Sequence, residues 1–460
     1  MVMDTIVASC TAPGAGALAL IRFEGSRAWE IASGLALLPH GKVLSDCASH
    51  SIVYGHVIAA DGSRIDQVLF LLMHAPRTFT GNDIVEITCH NNRFIVQAII
   101  ARGCELGARH ARPGEFTQRA VMNGKIDMLQ AEALHELIMA PSHAVAVRSL
   151  AQLEGSLSQV IAALQHELFE LAAYVEASFE FLEEEHLDLD FAALILQRIH
   201  ALLKKLDPLC GGQKQVQQLR EGVKIALVGS VNAGKSTLLN ALLGRNRAIV
   251  SDVPGTTRDS IEATVSDGGY VWTYIDTAGL RVTHDAIEQE GIIRSRYEAA
   301  AADLIMFVCD GSREPLPEVI AEYRHLANQQ GKTVLLVLTK SDKRCAHEWV
   351  AQESGVSSFC ISAQTGEGLT LLKSHILRQV QNIYEGISHP FILNQRQLAL
   401  LSDMQQLLMR IQRECELGQL PYELLAAQLH HALTLITELS GRSVTEEIMD
   451  MVFSTFCIGK

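Results

Sequence analysis

Residues 223–243 read VKIALVGSVNAGKSTLLNALL. A run of apolar, β-type residues leads straight into Gly229-Ser-Val-Asn-Ala-Gly234-Lys235-Ser236, and an apolar helical stretch follows. This is the G-x-x-x-x-G-K-[ST] pattern in strand–loop–helix context. Its glycines let backbone N–H groups turn toward phosphate oxygens. Lys235 reaches the β- and γ-phosphates, Ser236 offers a hydroxyl to Mg²⁺, and the helix N-terminus adds the positive end of its dipole. Asn232, Ala233, Gly234, Lys235, Ser236 and Thr237 are the expected contacts.

Four further segments follow in the order a GTPase needs. Gly255-Thr256-Thr257-Arg258-Asp259 supplies a hydroxyl and a backbone N–H for Mg²⁺ and the γ-phosphate. Ser251, Asp252, Val253 and Pro254, just before it, join the same nucleotide set, as do Gly255, Thr256 and Thr257. Asp276-Thr277-Ala278-Gly279 ends an apolar strand, with Asp276 near the metal and the Gly279 N–H placed to sense the γ-phosphate. Thr339-Lys340-Ser341-Asp342 follows VLLVL, and Ser362-Ala363-Gln364 follows FCI. The Asp342 carboxylate can accept both the ring N1–H and the exocyclic amine of guanine, which adenine cannot offer, so GTP is expected rather than ATP. Position 339 is Thr where this motif usually has Asn. The side chain tying this loop to the phosphate loop is therefore shortened, and weaker nucleotide binding with guanine preference retained is expected.

The residue after the DTAG segment is Leu280, which cannot orient an attacking water as a Gln does in the Ras-like template. A downstream carboxylate has to take over, and Asp285, Glu288 and Glu290 are within reach in sequence. Arg258 and Arg281 are nearby without an obvious finger position. The Asn232 side-chain oxygen, with backbone carbonyls of residues 251–256, could instead coordinate a monovalent cation there.

Working outward, residues 223–380 alternate β-type runs with helical stretches, the signature of a parallel sheet wrapped by helices. Residues 51–73 form two apolar runs about Asp61-Gly62, a hairpin signal. Helical spacing governs about 125–206 and resumes after Pro390. The expectation is a multidomain α/β and α protein. An N-terminal α+β domain spans 1–120, one helical part 121–215, a Ras-like P-loop G domain 216–382, and a second helical part 383–460. At 460 residues the chain has room for about three domains. Its 48% hydrophobic and 20% charged composition excludes a disordered chain. The net charge of −14 excludes an overall cationic field for RNA or membrane. Ten cysteines without a CxxC pair read as reduced thiols. Asp4 precedes the first apolar stretch and no run of 18 apolar residues occurs, so a cytoplasmic location and no membrane are expected.

The chain resembles the tRNA-modifying GTPase family MnmE, also called TrmE. The residues that carry the likeness are DTIVA (4–8), ARPGEFTQRAVMNGKIDMLQAEA (111–133), the five nucleotide motifs, DTAGLR with I-E-x-x-G-I at 287–292, and the terminal FCIGK. ARPGEFT and FCIGK are far more diagnostic than the P-loop. The resemblance implies a homodimer joined through N-terminal folate-binding domains, a discontinuous helical domain, and an inserted G domain that dimerises across the nucleotide when K⁺ is bound. It makes Asn232, Ser251, Val253 and Thr256 the K⁺ ligands, Ser236 and Thr257 the Mg²⁺ ligands, and Glu288 the catalytic carboxylate that positions water. It implies a flavin- and NADH-using partner, MnmG or GidA, in a heterotetramer. The product is an aminomethyl-type or carboxymethylaminomethyl group on carbon 5 of the tRNA wobble uridine. A reduced folate such as 5-formyl-tetrahydrofolate supplies the carbon, in a pocket corresponding to Arg22, Glu86, Lys125 and Lys460. Cys457 is either a reactive thiol near that pocket or a buried structural cysteine. The chain departs from the family at His90-Asn91-Asn92, where His-Gly-Gly is common, and at Ser230-Val231 in the phosphate loop.

Residues 93–125 carry Arg93, Arg102, Arg109, Arg112, Arg119 and Lys125 against Glu105 and Glu115, the best local candidate for tRNA phosphate contact, with a charged helix and loop surface or the folate pocket itself as the alternative. Two rival readings are a ribosome-assembly GTPase and a folate-dependent methyltransferase acting alone. The first lacks a reason for ARPGEFT and FCIGK, and the second for five GTPase motifs.

Overall fold

The computed structural model describes residues 4–179, 189–230, 232–244, 261–276, 301–328, 333–343, 357–417, 421–441 and 446–459. The strands are β1 (Ile6–Ser9), β2 (Leu18–Glu24), β3 (Ala36–Leu37), β4 (Ser51–Ile58), β5 (Arg64–Met73), β6 (Ile84–His90), β7 (Arg109–His110), β8 (Val223–Val228), β9 (Ile261–Asp267), β10 (Tyr270–Asp276), β11 (Leu304–Asp310), β12 (Thr333–Thr339) and β13 (Ser358–Cys360). Helices α1 (Ala28–Leu35), α2 (Arg93–Glu105), α3 (Glu115–Met122), α4 (Met128–Ile138), α5 (His143–Leu153), α6 (Ser156–Phe179) and α7 (Leu189–Cys210) come first. Then follow α8 (Gln213–Glu221), α9 (Lys235–Leu243), α10 (Pro317–Ala327), α11 (Leu369–Glu385), α12 (Gln395–Glu416), α13 (Tyr422–Ser440) and α14 (Glu446–Ser454). The chain divides into two compact units, one of residues 1–135, 152–203 and 399–460, the other of residues 136–151 and 204–398.

In the first unit a sheet of order β3-β4-β5-β6-β2-β1-β7 is antiparallel except for the β1–β7 pair. Strand alternation sorts its faces. Along β6, Val85, Ile87 and Cys89 are buried in a core shared with Ile31 of α1 and Ile99 of α2. Glu86, Thr88 and His90 point the other way, onto a face where Leu18, Ile52, Tyr54 and Leu69 are exposed. The expected hairpin is present: Gly62 takes φ +80°, and Asp61 Oδ1 accepts from the Ser63 N–H at 2.9 Å. His90-Asn91-Asn92 makes a sound turn without glycine, because Asn92 caps α2 by accepting from Phe94 N and the Asn91 amide donates to Gly14 O. Helices from either side of the inserted unit meet here. Gln165 of α6 donates to Thr437 of α13, and Glu176 pairs with His430.

The second unit is built on a sheet of order β13-β12-β11-β8-β10-β9 in which only β9, at the edge, runs antiparallel. A parallel sheet covered on both faces needs unbroken apolar strands. LIMFVC of β11 is buried throughout, with Met306 in one core and Phe307 in the other. Helix α5 belongs to this unit: Val145 enters its core, and Arg148 donates to the carbonyls of His389 and Ile387. Among the described residues eight cysteines carry no disulfide and Cys360 at the end of β13 is disulfide-bonded, so the expectation of reduced thiols does not hold at that position. Among the described residues no helix is long and apolar enough to cross a membrane.

Candidate functional site

In the second unit the sequence motifs fall at the C-terminal ends of parallel strands, where open α/β sheets place ligands. The loop after β8 turns at Gly229, φ +149°, where a Cβ would lie 2.1 Å from Val308 O. Only glycine fits so close to β11. Asn232 takes φ +61°, and Gly234, φ +92°, caps α9. Lys235 is buried, its Nζ donating to Gly229 O at 2.6 Å and Ser230 O at 2.9 Å, so the ammonium lies inside the loop that carries the motif.

Thr339 ends β12 and Asp342 lies three residues on. Short as its side chain is, Thr339 ties this loop to the phosphate loop. Its buried hydroxyl donates to Ala233 O at 2.6 Å, with Cys309 O as a second acceptor at 3.1 Å. Thr339 stands beside Gly234, with its Oγ1 3.4 Å from where a Cβ on that glycine would lie, close enough for the hydroxyl to reach the neighbouring Ala233 carbonyl. Ser362 Oγ donates to Asp342 Oδ1 at 2.7 Å and Ser341 N to Ile361 O, which joins the two base-side loops. A cavity of about 120 Å³ lies among Gly234 and Thr237 on one side, Thr339, Lys340 and Asp342 on another, and Ser362, Ala363 and Gln364 on the third. Lys343 also lines it and was not singled out from the sequence. Asp310, at the end of β11, was missed as well. The available signal was a carboxylate terminating a buried parallel strand. Burial pushes the Asp310 carboxyl up, but hydrogen bonds from Lys340 and Ser312 and the Lys340 charge outweigh it and hold it at about 2. Ser251, Asp252, Val253, Pro254, Gly255, Thr256, Thr257, Thr277, Ala278, Gly279 and Glu288 lie outside the described residues, as does Lys460.

In the first unit Arg22 and Glu86 face each other across β2 and β6, with Nε 2.7 Å from Oε1. The Arg22 guanidinium stands 5.3 Å from the Phe116 ring and 5.8 Å from that of Phe79. Lys125 donates to Pro76 O at 2.7 Å. The chain end returns to β1: a Cβ on Gly459 would lie 2.2 Å from Ser9 O, and Cys457 O accepts from Gly114 N. Cys457 is exposed, so the buried structural alternative fails.

Part of the cationic segment 93–125 is committed to carboxylates of its own unit, while Arg93 and Arg112 stay exposed. Arg119 is buried, donating to Glu24 and to Asp4 at 2.6 Å each. Arg109 holds Asp4 and Glu115, and Arg102 pairs with Glu105. Charge counting along a sequence cannot see carboxylates supplied by Asp4 and Glu24, about a hundred residues away.

Comparison with known proteins decides between the readings. The family model described as the MnmE helical domain matches residues 128–457, and the one described as the GTP-binding protein TrmE N-terminus matches residues 5–125. The tRNA modification GTPase MnmE of Synechococcus sp. strain RCC307 is 39% identical over 99% of this chain and 98% of its own length. That of Synechococcus sp. strain CC9605 is 40% identical over 99% of both, and that of Thermotoga petrophila 36% identical over the whole of both. The chain belongs to the MnmE family. It is a GTP hydrolase of tRNA modification, with GTP as substrate and Mg²⁺ as cofactor. The GTPase motifs lie in the second unit, and hydroxyl and carboxylate oxygens of the kind its sequence motifs carry suit a hard divalent cation.

Proposed function

We propose that this GTPase, working with a flavin-dependent MnmG-type partner, installs an aminomethyl-type or carboxymethylaminomethyl group at carbon 5 of the tRNA wobble uridine, with a reduced folate as one-carbon source. The observation that carries the reading is the return of the C-terminal FCIGK segment onto β1, the strand that pairs with Arg22 of β2. That return sets Gly459 against Ser9 of β1, whose neighbour β2 bears Arg22. A guanidinium suits a folate carboxylate or pterin oxygen, and a carboxylate suits the pterin amine edge. The open apolar face with Leu18, Ile52, Tyr54 and Leu69 supports an N-terminal homodimer.

In the G domain Lys235 and the N-terminus of α9 hold the β- and γ-phosphates, and Asp342 reads guanine. Glu288 positions the attacking water in place of the missing Gln. The side-chain oxygen of Asn232, with Ser251, Val253 and Thr256, holds K⁺, which supplies positive charge where an arginine finger otherwise stands. The four-part domain division and a cytoplasmic location belong to the same reading. Mass spectrometry of tRNA nucleosides tests it, comparing cells lacking the protein with the same cells expressing it again. Loss and restoration of the carbon-5 aminomethyl-type uridines is expected; unchanged nucleosides in cells without a second copy would overturn the reading.

A further inference from the structure

We propose that Asp310, which belongs to none of the five nucleotide motifs, is a positioning residue for guanine nucleotide binding, holding Lys340 between the base-side loop and the phosphate loop. This rests on reading Lys340–Asp342 as the guanine loop. Asp310 closes β11, between β8 and β12, with its side chain only 9% exposed. Its Oδ2 accepts from Lys340 Nζ at 2.7 Å. Its Oδ1 accepts from Ser312 N at 3.0 Å and Ser312 Oγ at 2.6 Å, which fixes the carboxylate's rotamer.

The same Lys340 ammonium donates to Asn232 O of the phosphate loop at 3.1 Å. One cation therefore bridges the strand end and the phosphate loop, while its own backbone belongs to the base-side loop. Lys340 takes φ +60°, a conformation few non-glycine residues adopt, so its placement depends on contacts around it. Gly311 adds a backbone contact: its N–H donates to Thr339 O at 2.8 Å, and a Cβ there would lie 2.6 Å from that oxygen. The aliphatic stem of Lys340 is thus held along the wall of the cavity that Asp342 and Ser362 also line. Without the Asp310 carboxylate, the long side chain regains its rotamer freedom, and nucleotide binding has to order it again.

The test uses the full chain. Asp310→Asn keeps an oxygen for Ser312 and removes the charge. It is expected to weaken GDP and GTP alike by about tenfold, the scale of one charge-assisted hydrogen bond. Most of the loss should appear in the dissociation rate, and in KM rather than kcat, with the melting temperature of the nucleotide-free protein unchanged. Combined with Lys340→Met, Asp310→Asn should add almost nothing, because both act on one contact. A GDP affinity within about twofold of the parent, additive effects, or a matching fall in the nucleotide-free melting temperature would each overturn the proposal. Asp342→Asn separates the two readings. If it leaves GDP binding intact, the guanine-loop reading fails and the positioning role with it. If it weakens GDP binding while Asp310→Asn does not, only the role of Asp310 fails.

Discussion

The two units carry charge in opposite ways. In the G domain, charged groups sit at strand ends and face a cavity: Lys340, Asp342 and Lys343 all line it, and their neighbours hold them at its rim. In the N-terminal unit the densest cluster faces inward. Glu24 is fully buried, and its oxygens accept from Arg119, Thr80 and Asn82. Arg119 also reaches Asp4 and Glu115, and Arg109 reaches both of those in turn. The first arrangement leaves polar groups available to a ligand; the second uses them up. Arg109 and Arg119 are thus spent on carboxylates of their own unit, a use that counting charges along the segment does not reveal.

The sharpest way to break that contrast is Arg119→Met, which strands the Glu24 carboxylate in the core. Removing one partner of a buried ion pair costs about 3 to 5 kcal/mol, enough to unfold a marginal unit. Denaturant unfolding should show the N-terminal unit lost while GDP binding to the G domain remains. Adding Glu24→Gln should recover part of the loss, since the stranded charge is gone. A stable Arg119→Met protein with weakened tRNA binding would instead return Arg119 to the RNA surface.

Acid separates the same two regions by smaller effects. Burial raises Glu115, but hydrogen bonds and charge from Arg109, the Arg112 N–H and Arg119 lower it further, to below its ordinary 4.5. Asp4 is likewise held below 3.8, burial being outweighed by Arg109 and Arg119. A depressed carboxylate contributes stability that is complete above its unfolded value and is lost as pH falls through its folded one. The N-terminal unit should therefore begin to loosen below pH 4.5, the ordinary value for Glu115. The Asp310 contact weakens only between 3.8 and about 2. Hydrogen exchange across this range should show amides of β1, β7 and α3 opening before those at the ends of β11 and β12. The reverse order would mean that the inward cluster does not govern acid stability.

What was legible in the sequence follows the same division. The P-loop, Thr339–Asp342 and Ser362–Gln364 announce themselves because each is a short loop after an apolar strand, so local order already implies the site. The parallel sheet was legible for the same reason. The inward cluster was not, because Arg119 meets Asp4 and Glu24 across more than ninety residues, and no local pattern records that pairing. Asp310 lay between these cases. Its strand was plain, but its use depends on Lys340, the residue that follows the neighbouring strand β12, a relation set by sheet order.

Thr339 gives the finest test of the outward-facing region. From the sequence its short side chain implied a shortened tie and weaker binding; in the structure its hydroxyl reaches the phosphate loop. Thr339→Val keeps shape and removes the donor, leaving the carbonyl of Ala233 without it in a buried setting. A net loss of about 1 kcal/mol is expected, near a fivefold rise in the Kd for GDP. Thr339→Asn should not tighten binding over the parent, since the contact that Asn commonly provides is already present. If it did tighten binding several-fold, the hydroxyl would be an incomplete substitute, and the original expectation from the shortened side chain would stand. If Thr339→Val bound GDP as well as the parent, the register of phosphate loop and base loop would rest on the Lys340 bridge to Asp310 and Asn232 alone, and the outward-facing region would depend on a single cation.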